Sequence, residues 1–222
     1  AQDAIVRMRP YATKLQEILS NLSASLDTSE NVYAQEREGN KVLLIAISSN
    51  RGLAGAFNAN VIKAITHWSN ENPELDYSVL TLGKKVNDHY KKFDKTINDS
   101  MKASTYDLYE NLNFNFVSEI ATEVMDKFVK GSYDQVHLVY NSFKNAATQS
   151  LKFEQMLPIL PPSQEGRLDS NLDYIFEPSK EEIVKDMIPK SLKIQIYKAI
   201  LDSHASEHGA RMTAMHKATE NA

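Results

Sequence analysis

The longest hydrophobic pattern in the chain runs from Pro189 to Ala222. Apolar and small residues recur there at alternating spacings of four and three, which is the spacing of one helix face with a heptad repeat. The seam consists of Leu192, Ile196, Ala199, Ser203, Ser206, Ala210 and Thr213, and a second stripe beside it of Leu201, Ala205, His208, Met212 and Met215. Large side chains begin the seam and small ones continue it, so the pattern predicts a long helix that another helix can approach closely.

A matching pattern lies at the N-terminal end of the chain. Its seam also alternates spacings of three and four and consists of Ile5, Met8, Ala12, Leu15, Leu19, Leu22 and Leu26. Because this seam is bulky where the other is small, the two patterns predict an antiparallel coiled coil of the terminal helices. Pro10 is expected to kink or break the first helix near Met8–Arg9. Two amphipathic helices that pack on an ordinary core are the alternative, because a few heptads do not secure a coiled coil.

Both terminal helices lack boundary signals at the ends of the chain. Ala1 begins without a capping residue, and no glycine or proline closes the second helix before Ala222. We therefore expect both helices to be cut within the helical pattern.

The segment between the two seams is predicted to alternate strands and helices. Lys41–Ser49 is a continuous apolar run, which is typical of a strand buried on both faces of a sheet. Further strands are predicted at Leu75–Leu82, Met101–Leu108, Asp134–Phe143, Ser150–Leu157 and, at a sheet edge, Leu172–Phe176. Helices are predicted at Ala59–Asn72, Lys84–Phe93 and Phe114–Lys130, followed by a short helix that begins at Ser179 with Glu182 in the capping-box position.

This order predicts an α/β fold, with a Rossmann-like layered domain inserted in an antiparallel coiled coil of the N- and C-terminal helices. The expected boundaries are residues 1–27 and 188–222 for the coiled coil and residues 41–187 for the α/β domain.

Composition narrows the classes of function. The chain has 222 residues, a formal net charge of −4 and no cysteine. The mildly acidic charge without a basic stripe argues against nucleic acid as a partner. The lack of cysteine excludes disulfides, thiol catalysis and cysteine-based zinc sites. No apolar run in the sequence is long enough to span a bilayer, so we expect a cytosolic or membrane-peripheral protein.

The turn after the first strand, Ser48–Asn58, stands where doubly wound folds bind phosphate, because a helix N-terminus offers free N–H groups there. Its glycines, Gly52 and Gly55, match neither G-x-G-x-x-G nor G-x-x-x-x-G-K-[ST]. No lysine occupies the position of a phosphate-binding lysine. We therefore interpret the segment as a tight turn that packs a helix on the sheet.

A second chemical pattern is His204-Ala-Ser-Glu207-His208, the H-x-x-E-H order of inverted zinc peptidases. Histidines four apart share a helix face and have the spacing to hold Zn²⁺, with Glu207 as a base. Such sites take a third protein ligand from well downstream, and only fourteen residues follow His208. We also expect His208 to be packed, because it falls on the small apolar stripe. The sequence therefore predicts no metal site and no catalytic residues.

Three stretches of the chain resemble the gamma subunit family of F-type ATP synthases, the central rotor stalk. They are Ile47-Ser-Ser-Asn-Arg-Gly-Leu-Ala-Gly-Ala-Phe-Asn58, Val139-Tyr-Asn-Ser-Phe-Lys-Asn-Ala-Ala-Thr-Gln149, and the segment from Ile196 through Ala205-Ser-Glu-His-Gly-Ala-Arg-Met to Ala222. The resemblance extends to Arg9-Pro10-Tyr11 and Tyr174-Ile-Phe-Glu-Pro178, and it covers essentially the whole chain in order. The first stretch contributes the signature-turn residues Arg51, Gly52, Gly55 and Asn58.

The resemblance implies a mechanical function without an active site or cofactor of the subunit's own. Family members transmit rotation between the proton-driven c-ring and the alpha/beta catalytic head during ATP synthesis. The terminal helices would form the foot of the shaft, and the α/β domain would rest on the c-ring and carry the epsilon subunit. By resemblance, the residues expected to face the c-ring are Arg9, Tyr11, Tyr174, Phe176 and Glu177.

The resemblance also implies a location and leaves two alternatives. A family member would be peripheral on the cytoplasmic face of a bacterial inner membrane, or on the mitochondrial matrix side, and would meet the membrane only through the complex. The absence of cysteine argues against the chloroplast members, which carry an inserted cysteine pair. The alternatives are a nucleotide- or dinucleotide-binding α/β enzyme, supported only by the Gly52/Gly55 turn, and a helical-hairpin adaptor that differs mainly in its partner.

Overall fold

The structure is a computed structural model that describes residues 2–27, 29–103, 105–161 and 179–222. Two long helices at the ends of the chain flank an alternation of strands and shorter helices. The helices are α1 (Gln2–Ala24), α2 (Phe57–Glu71), α3 (Lys84–Tyr90), α4 (Phe114–Val129), α5 (Lys180–Glu182) and α6 (Ile188–Glu220). The strands are β1 (Lys41–Ile47), β2 (Asp76–Leu82), β3 (Gln135–Asn145) and β4 (Thr148–Leu157).

The four strands form one mixed sheet in the order β2-β1-β3-β4. β1 runs parallel to both of its neighbours, whereas β3 and β4 pair as an antiparallel hairpin. The central place of β1 explains its uninterrupted apolar sequence, because helices cover both faces of a strand inside a layered sheet. The predicted first, second and last two strands of this sheet are confirmed, with shifts of a few residues at their ends.

Apolar side chains on the two faces of the sheet form two separate clusters. Leu43 and Ile45 of β1 belong to the larger cluster, together with side chains from α1, α4 and α6. Val42 and Leu44 belong to the second cluster, with side chains from α2 and α3. Neighbouring residues of a strand point to opposite faces, so the alternation along β1 divides the core in two. The terminal helices therefore share the larger cluster with the sheet.

The prediction of a strand at Met101–Leu108 is wrong. The described residues of this segment form turns and bends. Preceding residues bond to the outer edge of β2 instead, because the N–H of Val79 donates to the carbonyl of Lys95 and the N–H of Ile97 donates back to the carbonyl of Val79. The side-chain amide of Asn98 donates to Thr105 Oγ1 at 2.7 Å, and its oxygen accepts the backbone N–H of Thr81 at 3.0 Å. An isolated bridge and side-chain hydrogen bonds thus take the place of a full strand at this edge. The predicted edge strand Leu172–Phe176 lies outside the described residues.

The two terminal helices pack against each other in an antiparallel arrangement. Arg9 of α1 contacts Asp202 of α6, and Leu19 and Leu192 line the same cavity, so advancing along one helix means going back along the other. The predicted pairing of the chain ends is confirmed. Pro10 was predicted to kink or break the first helix; the break is wrong, because α1 is a continuous helix from Gln2 to Ala24, and the kink stays a prediction. Burial of Ile5 on one side of Pro10 and of Leu19 on the other anchors both halves of this helix.

The small residues of α6 were expected to let another helix lie close, and in the structure they pack against the α/β layer. Ser206 Oγ donates to the carbonyl of Asn141 in β3 at 3.1 Å. A Cβ atom on Gly209 would lie 2.7 Å from the carbonyl oxygen of Ala146, in the β3–β4 turn. Ala210 packs with residues of the turn that follows β1. The small side chains therefore allow the hairpin and the turn, as well as a helix, to approach α6.

The C-terminal helix begins earlier than the sequence predicts, and its first turns are irregular. Ser179 and Glu182 form the predicted capping box, and α5 continues through a π-helical turn, Ile183–Met187, into α6. Pro189 follows directly and has no backbone N–H to donate to a preceding turn. The wider turn lies at the point where the regular hydrogen-bond pattern cannot continue. The predicted short helix is therefore the first turn of the C-terminal helix.

Candidate functional site

The turn between β1 and α2, Ser48–Asn58, is closed by hydrogen bonds within itself. The backbone N–H of Ser49 donates to Asn58 Oδ1 at 3.0 Å, and Ser49 Oγ donates to the carbonyl of Arg51 at 2.6 Å. Asn58 Nδ2 donates back to Ser49 Oγ at 2.8 Å. The asparagine of the signature turn therefore locks the strand end to the first turn of α2.

The same turn also packs on the N-terminus of α3, the helix that follows β2. The backbone N–H of Lys84 donates to Asn50 Oδ1 at 3.0 Å, and that of Val86 donates to Ser48 Oγ at 3.1 Å. A Cβ atom on Gly83, which has a φ of +112°, would lie 2.2 Å from the carbonyl oxygen of Ser48. Side chains and backbone of the turn thus fill the space at the start of α3 and engage its N–H groups. This geometry agrees with the interpretation of a packing turn.

Side chains of β3 and α6 fasten the turn from the other side. Asn141 Nδ2 donates to the carbonyl of Phe57 at 3.0 Å, and Arg211 Nη2 donates to the carbonyl of Gly52 at 3.4 Å. Arg211 also pairs with Glu207 at 2.8 Å. Burial alone would raise the pKa of Glu207, but hydrogen bonds and charge from His204 and Arg211 outweigh burial and hold that pKa below its usual range. The signature turn is therefore part of a polar network that reaches the long helix.

A buried carboxylate joins α1, β3 and α6. Asp202 is fully buried, and one of its oxygens accepts from Arg9 Nη2 at 2.5 Å and from the backbone N–H of Phe143 at 2.5 Å. Its other oxygen accepts from Ser142 Oγ at 3.1 Å and lies 3.5 Å from Lys198 Nζ. Arg9 also donates to Ser142 Oγ and to the carbonyl of Phe143. We name this group, Arg9, Ser142, Phe143, Lys198 and Asp202, the Asp202 clasp.

Sequence reasoning missed the Asp202 clasp. The available signal is an acidic residue directly beside the seam position Ser203, where the helix periodicity predicts burial. Apart from Lys198, which is four residues away on the same helix, the partners lie 59 to 193 residues away along the chain, so no local pattern identifies them. Arg9, which the resemblance assigns to the c-ring surface, binds Asp202, Ser142 and Phe143 inside the clasp.

A cluster of titratable side chains lies on the other face of α6. His204 stacks on Tyr109 with ring centroids 5.4 Å apart, and its Nε2 lies 3.3 Å from Nε2 of His208. Partial desolvation and the neighbouring His204 lower the pKa of His208. The expectation that His208 is packed is wrong, because its side chain is exposed, as are those of Met212 and Met215 further along the second stripe, whereas Ala205 of the same stripe is buried. Within the described parts of the chain, no group of three metal-binding side chains converges.

The structure brings most of the predicted seam residues into the interior. Of the α6 seam, Leu192, Ile196, Ala199, Ser203, Ser206 and Ala210 are buried and Thr213 is half-buried. Of the α1 seam, Ile5, Leu19 and Leu26 are buried, and Met8, Ala12, Leu15 and Leu22 are half-buried. Of the residues expected to face the c-ring, Tyr11 is exposed, and Tyr174, Phe176 and Glu177 lie outside the described residues. In the signature turn, Arg51 and Gly55 are exposed.

Comparison with known proteins finds relatives that match this chain over its whole length. Residues 1–222 match the family described as ATP synthase. The chain is 54% identical over 225 residues to the ATP synthase gamma chain of Christiangramia forsetii, and the match covers 100% of this chain and 76% of that protein. It is 53% identical over 223 residues to the ATP synthase gamma chain of Flavobacterium johnsoniae, with the same coverage of 100% and 76%.

Solved structures with the same fold are similar at lower identity. A chain in the central stalk and c-ring structure of the Tetrahymena thermophila mitochondrial ATP synthase aligns with a TM-score of 0.62 and 23% identity, covering 97% of this chain and 99% of that chain. A chain in the rotor of the Euglena gracilis mitochondrial ATP synthase aligns with a TM-score of 0.57 and 18% identity, covering 99% and 90%. These likenesses show that the arrangement of paired terminal helices around a mixed sheet is a known fold.

Proposed function

The chain belongs to the ATP synthase gamma chain family, and from this membership we propose that it is the rotor subunit of the central stalk. It transmits rotation between the proton-driven c-ring and the catalytic head of F1Fo ATP synthase during ATP synthesis. The observation that carries this function is the match to gamma chains at 54% identity over the whole of the chain. The partners that follow from it are the epsilon subunit, the c-ring and the alpha/beta head.

The geometry suits a part that carries torque. A subunit that transmits torque must not let its terminal helices move relative to its α/β domain. The two helices therefore need firm contacts with each other and with the α/β layer. The shared apolar cluster provides a broad contact, and the Asp202 clasp adds directional bonds from α6 to α1 and to β3. Directional bonds resist sliding and rotation better than apolar contact, which is non-directional.

We place the c-ring contact at the end of the molecule where α1 ends and α5 begins. Pro161 lines a cavity with Ser23 and Ala24 of α1, and Lys180 pairs with Glu30 at 3.1 Å. Pro161 and Lys180, which are described on either side of the positions of Tyr174, Phe176 and Glu177 in the sequence, therefore both lie near this end. Tyr11 lies about 20 Å from the end of α1 at Ala24, because a helix rises 1.5 Å per residue. In this proposal Arg9 acts inside the molecule as part of the clasp.

We propose that the subunit has no active site of its own and serves a complex whose catalysis takes place on other subunits. The support is the turn between β1 and α2, which Asn58 closes through its bonds with Ser49 and which holds no phosphate-binding lysine. The alternative, a nucleotide-binding enzyme, needs free N–H groups and such a lysine at this turn.

We place the subunit on the cytoplasmic side of a bacterial inner membrane, bound there through the complex. The support is its similarity to the gamma chains of Christiangramia forsetii and Flavobacterium johnsoniae. Among the described residues, none of the helices combines the length and the apolarity that crossing a bilayer requires.

The test is isolation of the protein from its own cells with an affinity tag on the chromosomal gene. We expect it to co-purify with the alpha, beta, epsilon and c subunits, and inverted membrane vesicles carrying Asp202→Ala to lose proton-driven ATP synthesis. Recovery of the tagged protein without these subunits would overturn the proposal. Hydrolysis of ATP by the purified chain alone, abolished by Gly55→Val in the turn between β1 and α2, would favour the enzyme instead.

A further inference from the structure

His204 and His208 face each other on successive turns of α6. Their Nε2 atoms lie 3.3 Å apart, and the two rings meet at 73° with centroids 4.6 Å apart. At this distance one imidazole nitrogen donates its proton to the other. The pair is reached from solvent, since the side chain of His204 is 28% exposed and His208 is more exposed still.

Neighbouring side chains hold His204 in this orientation. The ring of Tyr109 stacks on it at an interplanar angle of 24°. The carboxylate of Glu207 lies 3.7 Å from Nδ1, on the side of the ring away from His208. This separation is longer than a hydrogen bond, and Nδ1 has no hydrogen-bond partner among the described residues. A metal-binding imidazole usually donates this N–H to a carboxylate, and Glu207 is the carboxylate placed on that side of the ring. Glu207 is itself held by Arg211 at 2.8 Å.

The spacing of the two nitrogens fits a metal ion. Two imidazole nitrogens that each lie about 2.0–2.1 Å from one tetrahedral ion are about 3.3 Å from each other. We propose, against the expectation of no metal site from the sequence, that His204 and His208 form a two-histidine chelate for a borderline divalent cation such as Zn²⁺ or Ni²⁺, with water in the remaining positions. The cation takes the place of the proton that the two nitrogens share.

The other histidines of the chain do not offer this arrangement. His67 pairs with Glu71 at 3.2 Å, His137 packs against Trp68 and Phe153, and His89 packs against Tyr90 and Phe93. Imidazole is a preferred ligand of Zn²⁺ and Ni²⁺, whereas water and carboxylates suit Mg²⁺ and Ca²⁺. With two protein ligands the site is open, so a third protein ligand, which the zinc-peptidase pattern requires, is not part of this proposal.

A bound cation would tie two turns of α6 together next to the signature turn. Glu207 and Arg211 connect this part of the helix to Gly52, so the ion lies beside the network that holds α6 to the turn. Binding to the folded chain alone stabilises it by mass action, because the chelate geometry does not persist in the unfolded chain. The site is therefore a place where a metal ion changes the stability of this part of the molecule.

The experiment is calorimetric titration of the whole chain with NiCl₂ and, separately, ZnCl₂, combined with thermal unfolding. We expect one ion per chain and a higher melting temperature in the presence of either ion. His204→Gln and His208→Gln should each weaken binding at least about tenfold and remove the rise in melting temperature. His216→Gln, an exposed histidine on the same helix, is the matched control and should bind like the original chain.

Histidine NMR spectra decide the assignment independently of stability. The Nε2 resonances of His204 and His208 should shift or broaden on addition of the ion, and those of His216 should not. The proposal is overturned by the absence of saturable binding, or by binding that persists in both His204→Gln and His208→Gln. It is equally overturned if His216→Gln weakens binding as much as they do, because the ion then binds surface histidines without preference.

Discussion

Two faces of α6 use their polar side chains in different ways. On the face towards α1 and the sheet, Asp202 and Ser206 are fully buried and bond to groups far away along the chain. On the other face, His208 is exposed, and Met212 and Met215 are 54% and 62% exposed. His208 follows Asp202 by only six positions. Between these two residues, the face of the helix decides whether a polar side chain bonds within the fold or is reached by solutes.

The largest expected effect is the loss of the buried carboxylate. Asp202→Ala leaves the charge of Arg9 and the N–H of Phe143 without their partner, and breaking a buried ion pair on one side costs about 3–5 kcal/mol of unfolding free energy. Urea unfolding followed by circular dichroism measures this loss. The double variant Arg9→Met with Asp202→Leu removes both charges and should lose clearly less. A loss below about 1 kcal/mol in Asp202→Ala would contradict the role of the clasp.

The contrast between buried and exposed polar side chains also applies to His137, a histidine inside the molecule. Burial lowers the pKa of His137 from 6.5 to about 4. The folded state therefore keeps this histidine neutral while the unfolded chain binds a proton, so its contribution to stability is complete above pH 6.5 and is lost as the pH falls towards 4. The unfolding free energy should fall by up to about 3 kcal/mol across that window.

His137→Leu isolates this contribution to the pH dependence. Urea unfolding between pH 7 and pH 4 should show a shallower fall for His137→Leu than for the original chain. His208→Gln, which changes an exposed histidine, should leave most of the fall in place. Equal slopes for His137→Leu and the original chain would show that His137 does not carry the effect.

A smaller effect is expected where α6 meets the β3–β4 turn. Gly209→Ala adds a Cβ atom 2.7 Å from the carbonyl oxygen of Ala146, so the turn or the helix must shift. Overpacking of this kind costs about 1–3 kcal/mol, although alanine is the better helix former. The melting temperature measures the net change. A Gly209→Ala variant that is more stable than the original chain would mean that the turn yields without cost.

The smallest effect is expected on the exposed face. Met212→Ala removes a side chain that is 54% exposed, and surface substitutions of this kind change the unfolding free energy by within about 0.5 kcal/mol. The same urea experiment serves as the measurement. A loss comparable to that of Gly209→Ala would mean that the two faces of α6 do not differ as the structure indicates.

The sequence by itself determined the secondary elements with strong periodicity. The seams of α1 and α6, the apolar run of β1 and the amphipathic α4 repeat their pattern over enough residues that local burial can be inferred from spacing. The capping box at Ser179 is equally local, because both hydrogen bonds lie within four residues. The weak pattern at Met101–Leu108 was misleading, because it is short and its segment uses side-chain bonds at a sheet edge.

Only the tertiary structure decided the order of the strands, the partners of Asp202 and the exposure of His208. A heptad position states that a side chain lies on a given helix face, but it does not state which surface meets that face. The small half of the α6 seam therefore predicted a close helix, whereas the hairpin at Ala146 and the turn at Phe57 approach there. Long-range pairing depends on how all elements fill one core, and this information is absent from any single stretch of the chain.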